Sequence, residues 1–218
     1  VQHLGGTQNK ADAVGKTIQL SIKQKKEGIA VGSYDYGNTS KTKWLDHHFA
    51  EWFGKLANLR TLPLDVRQDK LFVEKVRGYF NDCCNDALNG IYEHELVALL
   101  KEVMIDDHKD IDYMIINDCK NRDIYQWLPE DHPVVNYLKE GYSPFLSGSA
   151  SGSRTILFSD CEGNTHDCGL RLRVTSNNGI NAFLGTSKAN KNSSVVLKLQ
   201  QDKVANLMKQ VDSTVHSY

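Results

Sequence analysis

The residues best suited to chemistry lie near the start of the chain, on two short segments that we predict to be neighbouring strands. Asp12 lies on the first segment, and residues 18–23 of the second alternate apolar and polar side chains. With a strand period of two, one face carries only apolar side chains and the other only polar ones. The apolar face, which we expect to be buried, consists of Ile18, Leu20 and Ile22. The polar face consists of Gln19, Ser21 and Lys23.

A carboxylate on one strand and a lysine on the next suit the metal-assisted hydrolysis of a phosphodiester. That reaction needs an in-line water, neutralisation of charge on the phosphoryl oxygens and help for the leaving oxygen, most of which Mg²⁺ can supply when a carboxylate holds it. A nearby lysine can orient the water and stabilise developing negative charge. We therefore predict an active centre built from Asp12 and the polar face of the next strand.

Composition limits the class of protein. The 218 residues, 40% hydrophobic and 24% charged, suffice for a sizeable core and are ordinary for a soluble globular protein. The sequence contains no apolar run long enough to span a membrane, and we expect no signal peptide. Five cysteines, two of them adjacent, favour a reducing cytosol over a disulfide framework. The stretch from Cys161 to Cys168 suggests zinc, but a reduced surface hairpin is the better interpretation because paired C-x-x-C motifs are missing.

Charge is unevenly distributed although the net charge is only −1. Residues 1–43 carry seven Lys or Arg against three acids, and residues 141–218 carry eight against five. Residues 82–132 carry thirteen acids against four bases. This polarity indicates either a molecule that presents one face to phosphates or simply a solvated acidic helical region.

The remaining periodicities predict a mixed α/β chain. Strands are expected within residues 11–31, a helix from about Thr42 with a Trp- and Phe-rich stripe, further helices over 65–102, and a strand hairpin over 111–128. A short capped helix should begin near Pro133, and the Ser- and Gly-rich 143–153 segment should be a loop or linker. Four strands, including one at "INAFLGTS", and a final helix over about 201–211 should complete the chain.

The Asp12 and Ser21-Ile22-Lys23 pattern resembles the signature of PD-(D/E)XK nucleases, in which an Asp is followed by Glu-x-Lys on the neighbouring strand. Ser21 stands where an acid is usual. Gln19 is a second candidate, because Gln19-Leu20-Ser21 resembles the Gln-x-Lys variant of the signature with Ser in the position of the lysine. The segment "SKTKWLDHHFAEWFGKL" is similar to the helix that follows the catalytic strand in small type II restriction endonucleases cutting four-base G/C-containing sites. The helical insert, the hairpin and the late β-rich segment also resemble that group.

The resemblance implies a restriction-endonuclease-like mixed β-sheet core flanked by helices, with a β-rich C-terminal half. It implies Mg²⁺ bound by Asp12, water positioned by Lys23, and a metal shell completed by Ser21 or Gln19. A second acid is expected from elsewhere, with Glu51, Glu27 and Asp35 as the options. The chain then divides into core strands and helix at 1–62, helical insert and hairpin at 63–142, and the β-rich part at 143–218, within one compact domain. The first helix of the fold should lie before Val1.

The expected partner is double-stranded DNA, bound by a monomer or homodimer in the cytoplasm of a bacterial, archaeal or virus-infected cell. Basic and polar residues beside the predicted strands are the candidates for phosphate and base contacts. These residues are Lys25, Lys26, Tyr34, Lys41, Lys43, Arg154, Arg171, Arg173, Lys188, Asn190 and Lys191. Tyr36, Asn38 and Ser40 belong to the same loop as Tyr34 and Lys41.

Other functions remain open at this point. Ser21 in the acidic position is compatible with a non-catalytic DNA-binding relative that has lost its second carboxylate. A phage or repair nuclease, or a nickase without a fixed site, would use the same residues. A structural or protein-interaction domain would need none of them.

Overall fold

A computed structural model of the chain describes residues 2–3, 13–14, 16–24, 29–35, 58–118, 123–148, 152–176, 180–186, 193–200, 203 and 214–217. The strands are β1 (Gln2–His3), β2 (Ala13–Val14), β3 (Gln19–Gln24), β4 (Ile29–Asp35), β5 (Tyr113–Asp118), β6 (Asp123–Trp127), β7 (Ser143–Ser147), β8 (Ser153–Ser159), β9 (Thr165–Ser176), β10 (Ser193–Leu199) and β11 (Thr214–Ser217). The α-helices are α1 (Leu64–Gln68), α2 (Lys70–Asn89), α3 (Glu93–Met104), α4 (Pro133–Lys139) and α5 (Ile180–Phe183). Single 3-10 turns occupy Asp106–His108 and Pro129–Asp131. The α/β class predicted from the sequence is confirmed.

The strands form two sheets. Sheet A has the order β1-β2-β3-β5-β6-β11, and sheet B has the order β4-β10-β9-β8-β7. Strand β3 pairs with β2 antiparallel and with β5 parallel, so sheet A is mixed. Strand β4 belongs to the amino-terminal part of the chain but pairs with β10 in sheet B. Sheet B is therefore built from both ends of the sequence.

Helices α2 and α3 follow from local signals. The side chain of Asp69 caps α2 by accepting a hydrogen bond from the backbone N–H of Phe72 at 2.8 Å. In α3, the Glu95 carboxylate accepts from the backbone N–H of Tyr92 at 2.8 Å and closes a capping box. The inward side chains of α3 recur at three- and four-residue spacing and are Leu96, Leu99, Leu100, Val103 and Met104.

One hydrophobic core joins the helices to both sheets. Sheet A contributes Met114, Ile116 and Trp127, whereas sheet B contributes Ile156, Phe158, Leu170, Leu172, Leu197 and Leu199. Each fully buried aliphatic or aromatic side chain contributes about 1.5–3 kcal/mol relative to an exposed one. A single core therefore joins the helices to both sheets.

Two predicted elements differ from the structure, and one observed strand was not predicted. Residues 143–147 form the edge strand β7 rather than a linker. Pro144 is tolerated there because an edge strand has a neighbour on one side only, so it can lack a backbone N–H on the other side. Residues 180–183 form the short helix α5 rather than a strand. Strand β11 was not predicted. The predicted helices over 42–56 and 201–211 lie outside the described residues, apart from Lys203.

The amino terminus of α4 depends on a buried histidine. His132 is 2% exposed, and its Nδ1 accepts a hydrogen bond from the backbone N–H of Val134 at 3.2 Å. Its Nε2 has no hydrogen-bond partner among the described residues. Burial, and secondarily the neighbouring His108, lowers the pKa of His132 to about 3. The folded protein therefore keeps His132 neutral where an unfolded chain would protonate it.

We expect the free energy of unfolding to fall as the pH drops from about 6.5 towards 3. In that window the unfolded state binds a proton that the folded state excludes, which changes stability by up to about 1.4 kcal/mol per pH unit. His132→Asn keeps a cap acceptor and cannot titrate, so urea unfolding of this variant between pH 4 and 8 should show a shallower pH dependence. Equal slopes in the two proteins would contradict the assignment.

Candidate active centre and nucleic-acid interface

The pairing of β2 with β3 brings the segment that follows Asp12 against the strand carrying the polar row. Ala13 is in register with Leu20, and Val14 with Gln19. Asp12 itself lies outside the described residues. The predicted adjacency of the two strands is confirmed.

The faces of β3 are the reverse of those predicted. Ser21 is completely buried, whereas Ile18 is 44% and Ile22 is 42% exposed. The reason is the parallel pairing with β5, in which Ser21 is in register with the buried Met114. Residues paired in register share a sheet face, so Ser21, predicted to lie on an open polar face, lies against the core.

The beginning of β3 is held by a carboxylate that the sequence analysis did not single out. The backbone N–H of Gln19 donates to Asp112 Oδ2 at 2.6 Å, and the backbone N–H of Asp112 donates to the Gln19 carbonyl at 2.9 Å. Gln19 is half-buried. Asp112 therefore ties the entry of β3 to the entry of β5 through one carboxylate oxygen and its own backbone N–H.

The ends of β3 and β5 meet at one edge of sheet A. Lys23 is in register with Ile116, and Gln24 with Asn117. In sheets with parallel strands, ligands bind beyond the carboxyl ends of those strands. The backbone of Lys23 thus lies near the edge at which such a site is expected, one residue before Gln24.

The end of β3 offers a glutamine that was not among the predicted site residues. Gln24 is the last residue of β3, and its backbone is in register with Asn117 of β5. The stretch Gln24-Lys25-Lys26 is itself a Gln-x-Lys sequence. The pattern was present in the sequence, and the structure places its glutamine at the carboxyl end of a strand parallel to β5.

The donor chemistry of these residues is suitable for magnesium but sparse. Mg²⁺ prefers carboxylate, carbonyl and water oxygens, and Asp12 with a glutamine amide offers one charged and one neutral oxygen donor. Among the residues that the structure describes, no group of three or more His, Cys, Asp or Glu side chains is arranged to hold a metal ion.

Many of the predicted metal ligands and DNA contacts lie outside the described residues. Asp12, Lys25, Lys26, Glu27, Lys41, Lys43, Glu51, Lys188, Asn190 and Lys191 lie outside the described residues. Tyr34 and Asp35 belong to β4, where Tyr34 is in register with Val195 and Asp35 with Ser194. Arg154, Arg171 and Arg173 are all described and lie on neighbouring strands of sheet B.

Arg154 corrects one prediction, because it serves the core rather than a surface. It is 7% exposed, and its guanidinium donates to Asn85 Oδ1 at 3.3 Å and to Asn89 Oδ1 at 3.1 Å. Asn85 also accepts from the backbone N–H of Gly152 at 3.0 Å. These bonds fasten the beginning of β8 to α2, so Arg154 is not available to DNA.

Arg171 and Arg173 lie on the side of sheet B opposite Arg154. They alternate on β9 with Leu170 and Leu172, which are completely buried. Arg173 is exposed and Arg171 is half-buried. The alternation predicted for this strand is confirmed, and it turns both guanidinium groups to the face of sheet B opposite the core.

The Cys161–Cys168 stretch is a hairpin, as predicted. Strands β8 and β9 are antiparallel, and the Asp160 carboxylate organises the turn by accepting from the backbone N–H of Glu162 at 2.9 Å and from His166 Nε2 at 2.9 Å. The hydrogen bond from His166, followed by that from Asn164, holds the pKa of Asp160 well below its usual range. Cys161 is exposed and Cys168 is buried.

Comparisons of the chain with protein-family models, with curated proteins and with solved structures return no match. Within the described ranges, no helix combines the length and apolar character needed to cross a membrane.

The reversed faces of β3 predict unequal mutational effects. Ile22→Thr should cost less than about 1 kcal/mol because the side chain is largely exposed, whereas Ile116→Ala, at a completely buried position, should cost about 2–5 kcal/mol. Urea unfolding of the two variants measures both values. A large loss for Ile22→Thr would mean that this face is covered.

Arg154 should affect stability and not DNA affinity. Arg154→Met removes the hydrogen bonds to both asparagines and should lower the free energy of unfolding by about 1–3 kcal/mol. The matched control is Arg173→Met, an exposed position that should change stability by less than about 0.5 kcal/mol. Normal stability of Arg154→Met together with weakened DNA binding would contradict the correction.

Proposed function

We propose that this chain is a Mg²⁺-dependent endonuclease of the restriction type that hydrolyses phosphodiester bonds in double-stranded DNA at specific sites. The observation that carries the proposal is the pairing of Ala13 with Leu20, next to the expected metal-binding carboxylate of Asp12. It joins the carboxylate-bearing segment to the strand that ends in glutamine and lysine. The mixed sheet, with helices between β4 and β5, is the kind of core that the resemblance implies.

In this proposal the residues divide the chemistry among themselves. Asp12 would hold Mg²⁺, and the metal would supply charge neutralisation at the phosphoryl oxygens and a more acidic water. A lysine positions the attacking water and stabilises developing negative charge. Lys23 is the lysine of the original pattern, and Lys26 is its competitor because Gln24-x-Lys26 is a Gln-x-Lys sequence that begins at the last residue of β3.

Burial of Ser21 favours a second candidate function. A completely buried hydroxyl is poorly placed to complete an open metal shell, and it supplies no charge in place of the usual carboxylate. A protein that binds DNA without cutting it, by retaining the fold and losing the second acid, would have this arrangement. In either case we propose a cytoplasmic protein acting on DNA as a monomer or homodimer.

Cleavage of a mixed-sequence plasmid with Mg²⁺ tests the proposal. The wild-type protein should produce discrete fragments, and Asp12→Asn should reduce the rate at least about 100-fold, since metal-mediated charge stabilisation is worth several kcal/mol. Lys23→Met and Lys26→Met should separate the two lysines, because only the one that acts on water should match the loss in Asp12→Asn. Gln24→Ala should lose activity only if Gln24 and Lys26, rather than Ser21 and Lys23, form the site.

Two surface substitutions serve as matched controls. Lys16→Met lies in the turn before β3, and Asp65→Asn lies in α1; both positions are exposed. Neither should change the rate by more than about twofold. A smear would indicate a nuclease without a fixed site, open circles a nickase, and intact plasmid with retarded DNA the binding-only protein. Activity that survives every variant would show that the chemistry lies elsewhere.

A further inference from the structure

The face of sheet B opposite the core carries three cations side by side. On β9 the outward positions are Arg171 and Arg173, two residues apart. On the neighbouring strand β10, Lys198 is in register with Arg171, and Val196 with Arg173. We call Arg171, Arg173 and Lys198 the cationic face.

The arrangement is unfavourable in the free protein. Residues in register across an antiparallel pair have Cβ atoms about 4.5–5.5 Å apart, and like charges in such positions destabilise a sheet. Within the part of the chain that the structure describes, the ion pairs are Arg77–Glu74, His166–Asp160 and Lys203–Asp167, and none of them includes a member of the cationic face. No described carboxylate therefore offsets the repulsion between Arg171 and Lys198.

The contrast with Arg154 indicates that the cationic face is not there to hold the fold. Arg154 reaches two asparagine oxygens of α2. Arg171, on the adjacent strand, has a buried Nε with no hydrogen-bond partner among the described residues. Because this Nε is buried, an anion from outside would meet the terminal nitrogens of the half-buried Arg171 guanidinium, beside the second cation Lys198.

The neighbouring side chains fit a phosphate. Arg171 is in register with Thr155 on β8, and Arg173 with Ser153. Hydroxyl groups of Ser and Thr, together with Arg and Lys, are the usual side-chain partners of DNA phosphates. The nearest acid along β9, Asp167, already pairs with Lys203 at 3.2 Å, so it does not repel a phosphate as a free carboxylate would.

We propose that the cationic face binds the phosphate backbone of double-stranded DNA, with Arg171 and Lys198 sharing one phosphate and Arg173 holding another. This inference rests on the proposed function, since it assigns a docking surface to the same substrate. It adds Lys198 to the DNA contacts, excludes Arg154 from them, and separates the backbone-binding surface on sheet B from the chemistry on sheet A.

The test is the salt dependence of DNA binding, measured by fluorescence anisotropy with a labelled duplex and Ca²⁺ in place of Mg²⁺ so that no cleavage intervenes. Each neutralised phosphate contributes about −0.9 to the slope of log K against log salt concentration. Arg173→Gln should make the slope shallower by about 0.9 and weaken binding about 3- to 10-fold. The double variant Arg171→Gln/Lys198→Gln should also lose about 0.9, because its two cations share a phosphate.

The matched control is Lys75→Gln, which removes an exposed cation from α2 and should leave the slope unchanged. A slope that is shallower by about 1.8 in the double variant would contradict the sharing of one phosphate by Arg171 and Lys198. Unchanged slopes in all cationic-face variants of a protein that binds DNA would overturn the inference and leave the proposed function standing. Failure of the wild-type protein to bind any duplex would overturn both.

Thermal unfolding provides a second readout and shows that the variants fold. Removing Lys198 relieves the repulsion with Arg171, so the midpoint of Lys198→Gln at low salt should rise by about 1–3 °C while DNA binding weakens. A fall in the midpoint would mean that Lys198 stabilises the folded chain, for example through a carboxylate, and would contradict the proposal.

Discussion

The parallel pairing of β3 with β5 is the constraint on which the rest of the structure depends. Parallel neighbours cannot be joined by a tight turn and need a crossover of a dozen or more residues. Here the connection contains β4 and helices α1, α2 and α3. The same pairing puts Ser21 in register with the buried Met114, and so decides which face of β3 meets the core.

The crossover also explains how the two sheets become one structure. Because the chain passes from β3 in sheet A to β4, which pairs with β10, its amino-terminal part completes a sheet whose other strands begin at Ser143 or later. Helices α2 and α3 contribute to a core shared by both sheets. Arg154 reinforces this assembly by fastening β8 to α2 through Asn85 and Asn89.

Three arginines that look equivalent in sequence have two different roles because neighbouring positions of a sheet face opposite ways. Arg154 lies on the core side and is compensated by amide oxygens, whereas Arg171 and Arg173 lie on the outer side. A basic residue on a strand therefore indicates a nucleic-acid contact only when the face of the strand is known. In the functions proposed here, the chemistry would lie at the carboxyl end of β3 in sheet A, and the phosphate contacts would lie on the outer side of sheet B.

The sequence by itself determined the class of the fold and the local elements with strong periodicity or caps. The helices over 65–102, the β5–β6 hairpin and the helix beginning at Pro133 follow from patterns within a few residues. The edge strand β7 and the short helix α5 could not be predicted, because segments of four or five residues take their structure from the neighbours with which they pair or pack. Only the tertiary structure decided that Ser21 is buried and Ile22 exposed, since an alternating strand is compatible with either face inward and the choice comes from the partner strand.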